Sequence, residues 1–323
     1  MFAAGSGRPV GIAAGAAADA VFGDPGRGHP VAMFGRGAAA LERRSYSDSR
    51  LAGTLHTAGL LVAVAVAGTV VGGAVGRRRA LREGAWVAAA TFVALGGTSL
   101  CRIGEQMVGL LGSGDIAGAR RLLPSLCGRD PAVLEPADLT RAALESIAEN
   151  TSDAHVSPLV WAALGGAPAV LVYRAANTLD AMIGKRSPRY IRFGWAAARF
   201  DDLVNLAGAR LTGVLVTLCA PVVGGSPAAA IRAWRCDADK HPSPNAGVAE
   251  AAFAGALGVR LGGPTRYAYE LELRPSLGDG RAPEVGDLAR AVRLSRAVQR
   301  VAVVLAVAVS AACRNGRRVS LRW

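Results

Sequence analysis

Six apolar stretches divide the chain, at residues 10–22, 51–76, 85–100, 156–172, 206–223 and 298–313. A bilayer core takes about 20 residues of helix. The second stretch, with LLVAVAVAGTVVGGAVG, supplies them most clearly, whereas the first is short and carries Asp19. Gly and Pro interrupt the later ones. GGAP breaks the fourth at residues 165–168, and Pro221 then GGSP at residues 224–227 break the fifth ahead of a helix-like AAAIRAWR. These residues end or kink helices, and irregular backbone at membrane depth is tolerated where protein buries it. The pattern predicts an all-α, polytopic helical membrane protein with Gly/Pro-broken, re-entrant helices. The chain reads as a single integral membrane domain, 1–323, with polar helical or loop regions at 102–155 and 224–296. Within the first polar region GDIAGARRLLPSLCGRD reads as a helix ended by Gly128. Within the second, residues 236–296 read as Pro- and Gly-rich loops followed by a helix from about Asp287.

Composition agrees. The chain is 51% hydrophobic and 19% charged with a mean hydropathy of +0.30, more apolar than a soluble domain needs. Its apolar residues are mainly Ala, Val, Leu and Gly, which suit close helix packing in lipid. The net charge of +13 raises a nucleic-acid partner, but no basic stripe interleaved with aromatics and no nucleic-acid module accompanies it. Nearly all the cations are Arg, and clusters at residues 77–82 and at Arg314, Arg317 and Arg318 place those helix ends in the cytoplasm. Cys101, Cys127, Cys219, Cys236 and Cys313 show no metal-ligand spacing and read as buried small hydrophobes where they fall in apolar runs. The N-terminus has no secretory-signal pattern, since Asp19 interrupts its apolar run. His56 and His155 read as helix-surface or interfacial residues.

Four polar motifs exceed what membrane anchoring needs. GDPGRGHPV, residues 23–31, offers Asp24, His29 and a Gly-rich turn able to face an anion; it reads equally as a helix-ending turn. ESIAENTSD, residues 145–153, puts Glu145 and Glu149 on one helix face, with Asn150 and Asp153 beyond. Like charges at that spacing repel, so a bound cation would relieve them; the other reading is a solvated helix end. In residues 173–205, Tyr173, Asn177, Asp180 and Gly184 form one helical stripe. Lys185, Arg186, Arg189, Arg192 and Arg199 then crowd beside Asp201 and Asp202, a set able to clamp phosphate and hold a metal. A cytoplasmic loop accounts for the arginines but not for Asn177 and Asp180. DKHPSPNAG, residues 239–247, holds Lys240, His241 and Asn245, and Asn245 can open a helix. Lys185 and Lys240 are the only lysines in an Arg-rich chain, and the two cations are not interchangeable.

Together, DAVFGDPGRGHPV (19–31), ESIAENTSDAHVSPLVWAALGG (145–166), YRAANTLDAMIGKRSPRYIRFGWAAARFDDL (173–203) and HPSPNAGVAEAAFAGALGVRLGG (241–263) resemble the adenosylcobinamide-phosphate synthase family of cobalamin biosynthesis, the CobD/CbiB type. The motifs keep the family's order over most of the chain. Small departures are LAGARLT at 206–212, with Gly where Pro is typical, and Val248 in place of an aromatic; residues 264–296 match poorly.

The resemblance implies an ATP-dependent amide ligase of corrinoid (tetrapyrrole) metabolism, multi-pass in the cytoplasmic membrane with its active site on the cytoplasmic side. It would join aminopropanol or its O-phosphate to the free propionate of adenosylcobyric acid. ATP and Mg²⁺ are then co-substrate and metal, and the corrinoid is substrate. Association with other corrinoid-pathway membrane enzymes is a further expectation. On this reading Glu145, Glu149, Asp153, Asp201 and Asp202 are Mg²⁺ candidates. Lys185, Arg186, Arg192, Lys240 and His241 are candidates for phosphate. Asn150, Asn177, Asp180 and Asn245 orient substrate, and Asp24 and His29 line the same site. Of these, Glu149, Asn150, Asp180, Lys185, Lys240 and His241 are the catalytic candidates. A transporter, which also keeps charges near broken helices, is the rival from another class; a scaffold subunit would not need two isolated lysines.

Overall fold

The computed structural model describes residues 7–25, 28–73, 79–267 and 270–319. Gly26 and Arg27 of the first motif, and Arg77 and Arg78 of the first basic cluster, lie outside the described residues. The described chain is predominantly helical, as the apolar pattern predicts. Five helical segments are long and apolar enough to cross a membrane: Arg50–Gly72, Ala80–Gly112, Pro136–Ile183, Trp195–Val223 and Val285–Cys313. The first apolar stretch is not among them, because its helix has 15 residues. The contacts divide the chain into two compact units.

The first unit takes Met1–Gly96, Ser157–Val204 and Ala302–Trp323. It holds α1 (Arg8–Phe22), α2 (Pro30–Ser45), α3 (Arg50–Gly73), α4 (Arg79–Ala94), α8 (Ser157–Ile183) and the start of α9 (Trp195–Cys219). Gly11 and Gly15, one turn apart on α1, lie against the backbone of Gly84 and Ala88 on α4; a Cβ on either would come within 2.5–2.6 Å of a carbonyl oxygen. Small residues at this spacing let helix backbones touch in lipid. The core gathers Leu61, Tyr173, Leu179, Ile183, Phe193 and Val204. Val62, Val66, Val70 and Val71 of α3 are exposed, as an apolar helix facing lipid would leave them.

The break expected at residues 165–168 is real. Gly166 adopts φ 69°, ψ −153° inside α8, a conformation open in practice only to glycine. The kink frees carbonyls from the helix ladder, and Arg8 Nη1 donates to two of them, Ala163 O at 3.4 Å and Leu164 O at 3.2 Å.

The second unit takes Gly97–Val156 and Asn205–Val301. It holds α5 (Gly97–Gly112), α6 (Ile116–Leu122), α7 (Pro136–Thr151), the rest of α9, α10 (Pro227–Asp237), α11 (Ala246–Leu257) and the first part of α12 (Val285–Val319), up to Val301. Every residue of α11 is buried; packed against α7 and α10, it forms this unit's core. A π-helical turn, Ser152–Val156, follows α7.

Three expectations need correction. The 236–296 region is not only loops before its last helix: β1 (Leu261–Tyr267) and β2 (Glu270–Leu277) form an antiparallel hairpin. Its Gly- and Pro-rich ends hide a weak alternation at Leu271 and Leu273. The helix expected to run to Gly128 ends at Leu122 and passes into a 3₁₀ turn at Leu123–Ser125, where Pro124 removes a ladder donor. His56 and His155 are buried rather than at a surface. His56 Nδ1 pairs with Ser45 Oγ at 2.9 Å and its ring packs on Phe193. Among the cysteines, Cys101 and Cys219 are buried, whereas Cys313 is exposed.

Candidate active site

In the second unit the chemistry gathers around α7, α11 and the hairpin. Glu145 and Glu149 lie on α7 one turn apart, as the sequence predicts, and Glu145 is buried. The cation that relieves Glu145 is a guanidinium: Arg129 donates to Glu145 Oε2, with 6% and 3% of the two side chains exposed. The amide N–H of Gly262 donates to Oε1 at 2.7 Å, so both carboxylate oxygens are occupied. Gly262 is fixed in turn, because its carbonyl accepts from Arg141 Nη1 at 2.7 Å. Burial works against the charge on Arg129. The Glu145 carboxylate, with Cys127 and Glu250, more than offsets it and raises the Arg129 pKa.

Glu250 is a site residue that the motif reading missed, although a lone carboxylate in the apolar run AGVAEAAFAGAL is itself a signal. It lies on α11, 1% exposed. Among the described residues, neither of its oxygens has a hydrogen-bond partner. Burial, then the neighbouring carboxylates of Glu145 and Glu149, push its pKa well above the usual carboxylate range, against the pull of Arg274 and Arg129.

His241 bridges this cluster to the loop before α11. It is buried, with Nε2 3.8 Å from Glu250 Oε1 and 3.4 Å from Arg274 Nη1. A guanidinium only donates, so the Arg274 contact makes Nε2 an acceptor. Nδ1 lies 3.1 Å from the Ser243 carbonyl and 3.1 Å from the Ser243 amide nitrogen, whose N–H points to it. Asn245 begins α11, as expected, and its Oδ1 accepts from Arg210 Nη1 at 2.8 Å. Asn150 donates back to Ser146 O and Oγ along α7, and Asp153 lies in the π turn. Lys240 is exposed and tied to Asp237 Oδ1 at 2.6 Å; that hydrogen bond raises its pKa. Asp237 Oδ2 accepts from Gly278 N–H at 2.7 Å, anchoring the same loop to the end of the hairpin.

The other candidates belong to the first unit. His29 caps α2, its Nδ1 accepting from Val31 N–H at 3.2 Å, and its Nε2 lies 3.8 Å from Asp24 Oδ1. Burial lowers the His29 pKa, Asp24 opposes this, and the positive charge of Arg174 adds to it. Arg174, another residue not singled out from sequence, also reaches Asn177 Oδ1 at 3.4 Å. These contacts bring Asp24, His29, Arg174 and Asn177 into one neighbourhood. Asp180 covers Gly184, where an added Cβ would lie 1.9 Å from its Oδ1. Lys185 and Arg186 are exposed beyond α8. Arg192 approaches Asp48 at 3.7 Å, and Arg199 approaches Asp202 at 3.4 Å. Asp201 is buried.

Of the Mg²⁺ candidates, Glu145, Glu149 and Asp153 fall in the second unit and Asp201 and Asp202 in the first. Among the described residues no three His, Cys, Asp or Glu side chains are grouped to hold a metal ion. Glu145 is already committed to Arg129 and Gly262.

Residues 12–295 match the family model described as CobD/Cbib protein. The chain is 64% identical over 300 residues to "Cobalamin biosynthesis protein CobD" of Mycobacterium tuberculosis strain H37Rv, covering 93% of this chain and 95% of that protein. Proteins of the same name from Rhodobacter capsulatus and Geobacter metallireducens are 43% and 42% identical, covering 83% and 82% of this chain and 85% of each relative. No solved structure matches.

Proposed function

The chain belongs to the CobD/CbiB family of cobalamin biosynthesis proteins, and from that premise we propose that it is an ATP-dependent amide ligase. It joins aminopropanol, or its O-phosphate, to the free propionate of adenosylcobyric acid. The observation that carries the reading is the array of buried Glu145, Glu250, Arg129 and His241 with half-buried Glu149 and Arg274 in the second unit. A solvated membrane-anchoring loop needs no such array. A carboxylate is a poor electrophile until a phosphoryl group is transferred to it, and that transfer depends on positioning and on cations around the moving charge. Arg274 and His241 would face the phosphate or the developing oxyanion, with Lys240 as an exposed cation at the edge. Arg129 and Gly262 would hold Glu145, and through it α7, in place. Asn245, Asn177 and Asp180 would orient substrate, and Asp24 and His29 would serve the same end with Arg174.

ATP is the co-substrate in this reading. Mg²⁺ would arrive with the triphosphate, as this ion usually does, keeping several waters and few protein ligands. The site would face the cytoplasm, the side that holds ATP and toward which the basic helix ends point.

The test is an assay of the purified protein in detergent with adenosylcobyric acid, ATP, Mg²⁺ and each amine in turn. An amide product formed together with nucleotide hydrolysis is expected; its absence with both amines overturns the proposal. A transporter instead predicts solute uptake by vesicles and no product. Alanine at Glu149, Asp180 or Lys240 should abolish product while the protein remains inserted, and wild-type rates in all three would reject these roles.

A further inference from the structure

Glu250 is unusual even within its cluster. Glu145 has a guanidinium and an amide N–H on its two oxygens. Among the described residues Glu250 has neither, although it is 1% exposed. A buried carboxylate without donors is costly, so such a group persists where something else completes it. The local charges indicate what is missing. Among the described residues the charged groups that act most strongly on Glu250 are the carboxylates of Glu145 and Glu149 and the guanidiniums of Arg129 and Arg274, and His241 Nε2 lies 3.8 Å from its Oε1. With Glu250 that makes three potential negative charges against two positive ones. Arg141 does not correct the balance, because Asp138 pairs with it at 2.8 Å.

Among these five groups the surplus is one negative charge, and the open valences are acceptor sites on the two oxygens of Glu250. A divalent ion fits poorly, since among the described residues no three His, Cys, Asp or Glu side chains are grouped to hold one and Glu145 is already committed to Arg129 and Gly262. A primary ammonium fits both counts, with one positive charge and three donors. We infer that Glu250, with Glu149 beside it, forms a subsite for a primary ammonium and receives the amine end of aminopropanol or its phosphate. The inference rests on the ligase reading for the identity of the amine. Burying an ammonium costs solvation, which the paired carboxylates offset only if hydrogen bonds complete the geometry, and this makes the subsite selective for an amine over an alcohol.

The experiment measures binding and turnover separately. Thermal stabilisation of the detergent-purified full chain is titrated with 1-amino-2-propanol and with 1,2-propanediol, its uncharged analogue. Wild type is expected to respond to the amine and not to the diol, and Glu250→Gln is expected to lose the amine response. In the amide assay Glu250→Gln should raise the KM for amine about 10-fold or more, the scale of one lost charge-assisted bond, with the KM for ATP unchanged. Equal stabilisation by amine and diol, no stabilisation by either, or an unaltered amine response in Glu250→Gln overturns the inference. The wild-type comparison decides the matter even if that variant folds poorly. Amine-selective binding without any amide product would instead overturn the ligase reading and leave the ammonium subsite standing.

Discussion

Each unit ties distant parts of its sequence together with a glutamate and an arginine, and the two pairs differ in what surrounds them. Arg129 and Glu145 are both buried, and Glu145 has a second donor in the Gly262 amide. Arg189 and Glu42 meet at 3.0 Å, but the arginine is 54% exposed and stacks over the Tyr46 ring at 4.2 Å, while Tyr190 Oη also donates to Glu42 Oε1 at 3.0 Å. The inner pair is a mutual obligation, because either partner left alone would be a charge without solvent. The outer pair is one of several small contacts around Glu42, and water can replace the arginine.

The comparison breaks most visibly at Glu145. Glu145→Ala leaves Arg129 buried and unpaired and should cost about 3–5 kcal/mol, read as a large fall in the thermal midpoint in detergent. Replacing both partners, as Arg129→Met with Glu145→Leu, should cost much less than the single change, and a double-mutant cycle measures the difference. If Glu145→Ala is mild, the inner pair is no tighter than the outer.

Glu250 tests the inner region from the other side. Its pKa is raised in the folded chain, so the folded state holds a proton that the unfolded state releases above its ordinary value of about 4.3. Stability contributed by this group therefore falls as pH rises through that value, until the folded carboxyl itself ionises. Glu250→Gln removes the dependence. It should match wild type near pH 4 and exceed it by about 1–3 kcal/mol near neutral pH, a gain in stability bought with the loss of amine binding. A flat difference across pH would show that Glu250 ionises freely.

The outer region should yield smaller numbers. Tyr190→Phe removes one hydrogen bond to Glu42 and should cost about 1 kcal/mol. Arg189→Ala should cost less than about 1 kcal/mol and less still at high salt, as exposed pairs do. A loss from Arg189→Ala as large as that from Glu145→Ala would erase the contrast between the regions.

Much of this was legible in the sequence because it is local. The kink at Gly166 follows from GGAP, the placing of Glu145 and Glu149 from helical spacing, and the start of α11 at Asn245 from the Pro-rich loop before it. Pairings between distant segments were not. Nothing in GRD marks Arg129 as the partner of Glu145, and nothing in RLGGPT marks an amide that would reach the same carboxylate. The hairpin was missed for a related reason: its Gly- and Pro-rich ends look like loop, and tertiary pairing outweighs its weak alternation. Glu250 stands outside every polar cluster of the sequence, and its information lies in its isolation within an apolar run.

The hold of the hairpin on Glu145 is made by the main chain of Gly262, its N–H to the carboxylate and its carbonyl to Arg141. Gly262 has φ 81°, and a Cβ there would lie 2.0 Å from the Pro275 carbonyl. One position is thereby closed to variation, while the same contact is indifferent to the side chains along the two strands. A lineage could rewrite most of that ribbon without disturbing the carboxylate it steadies.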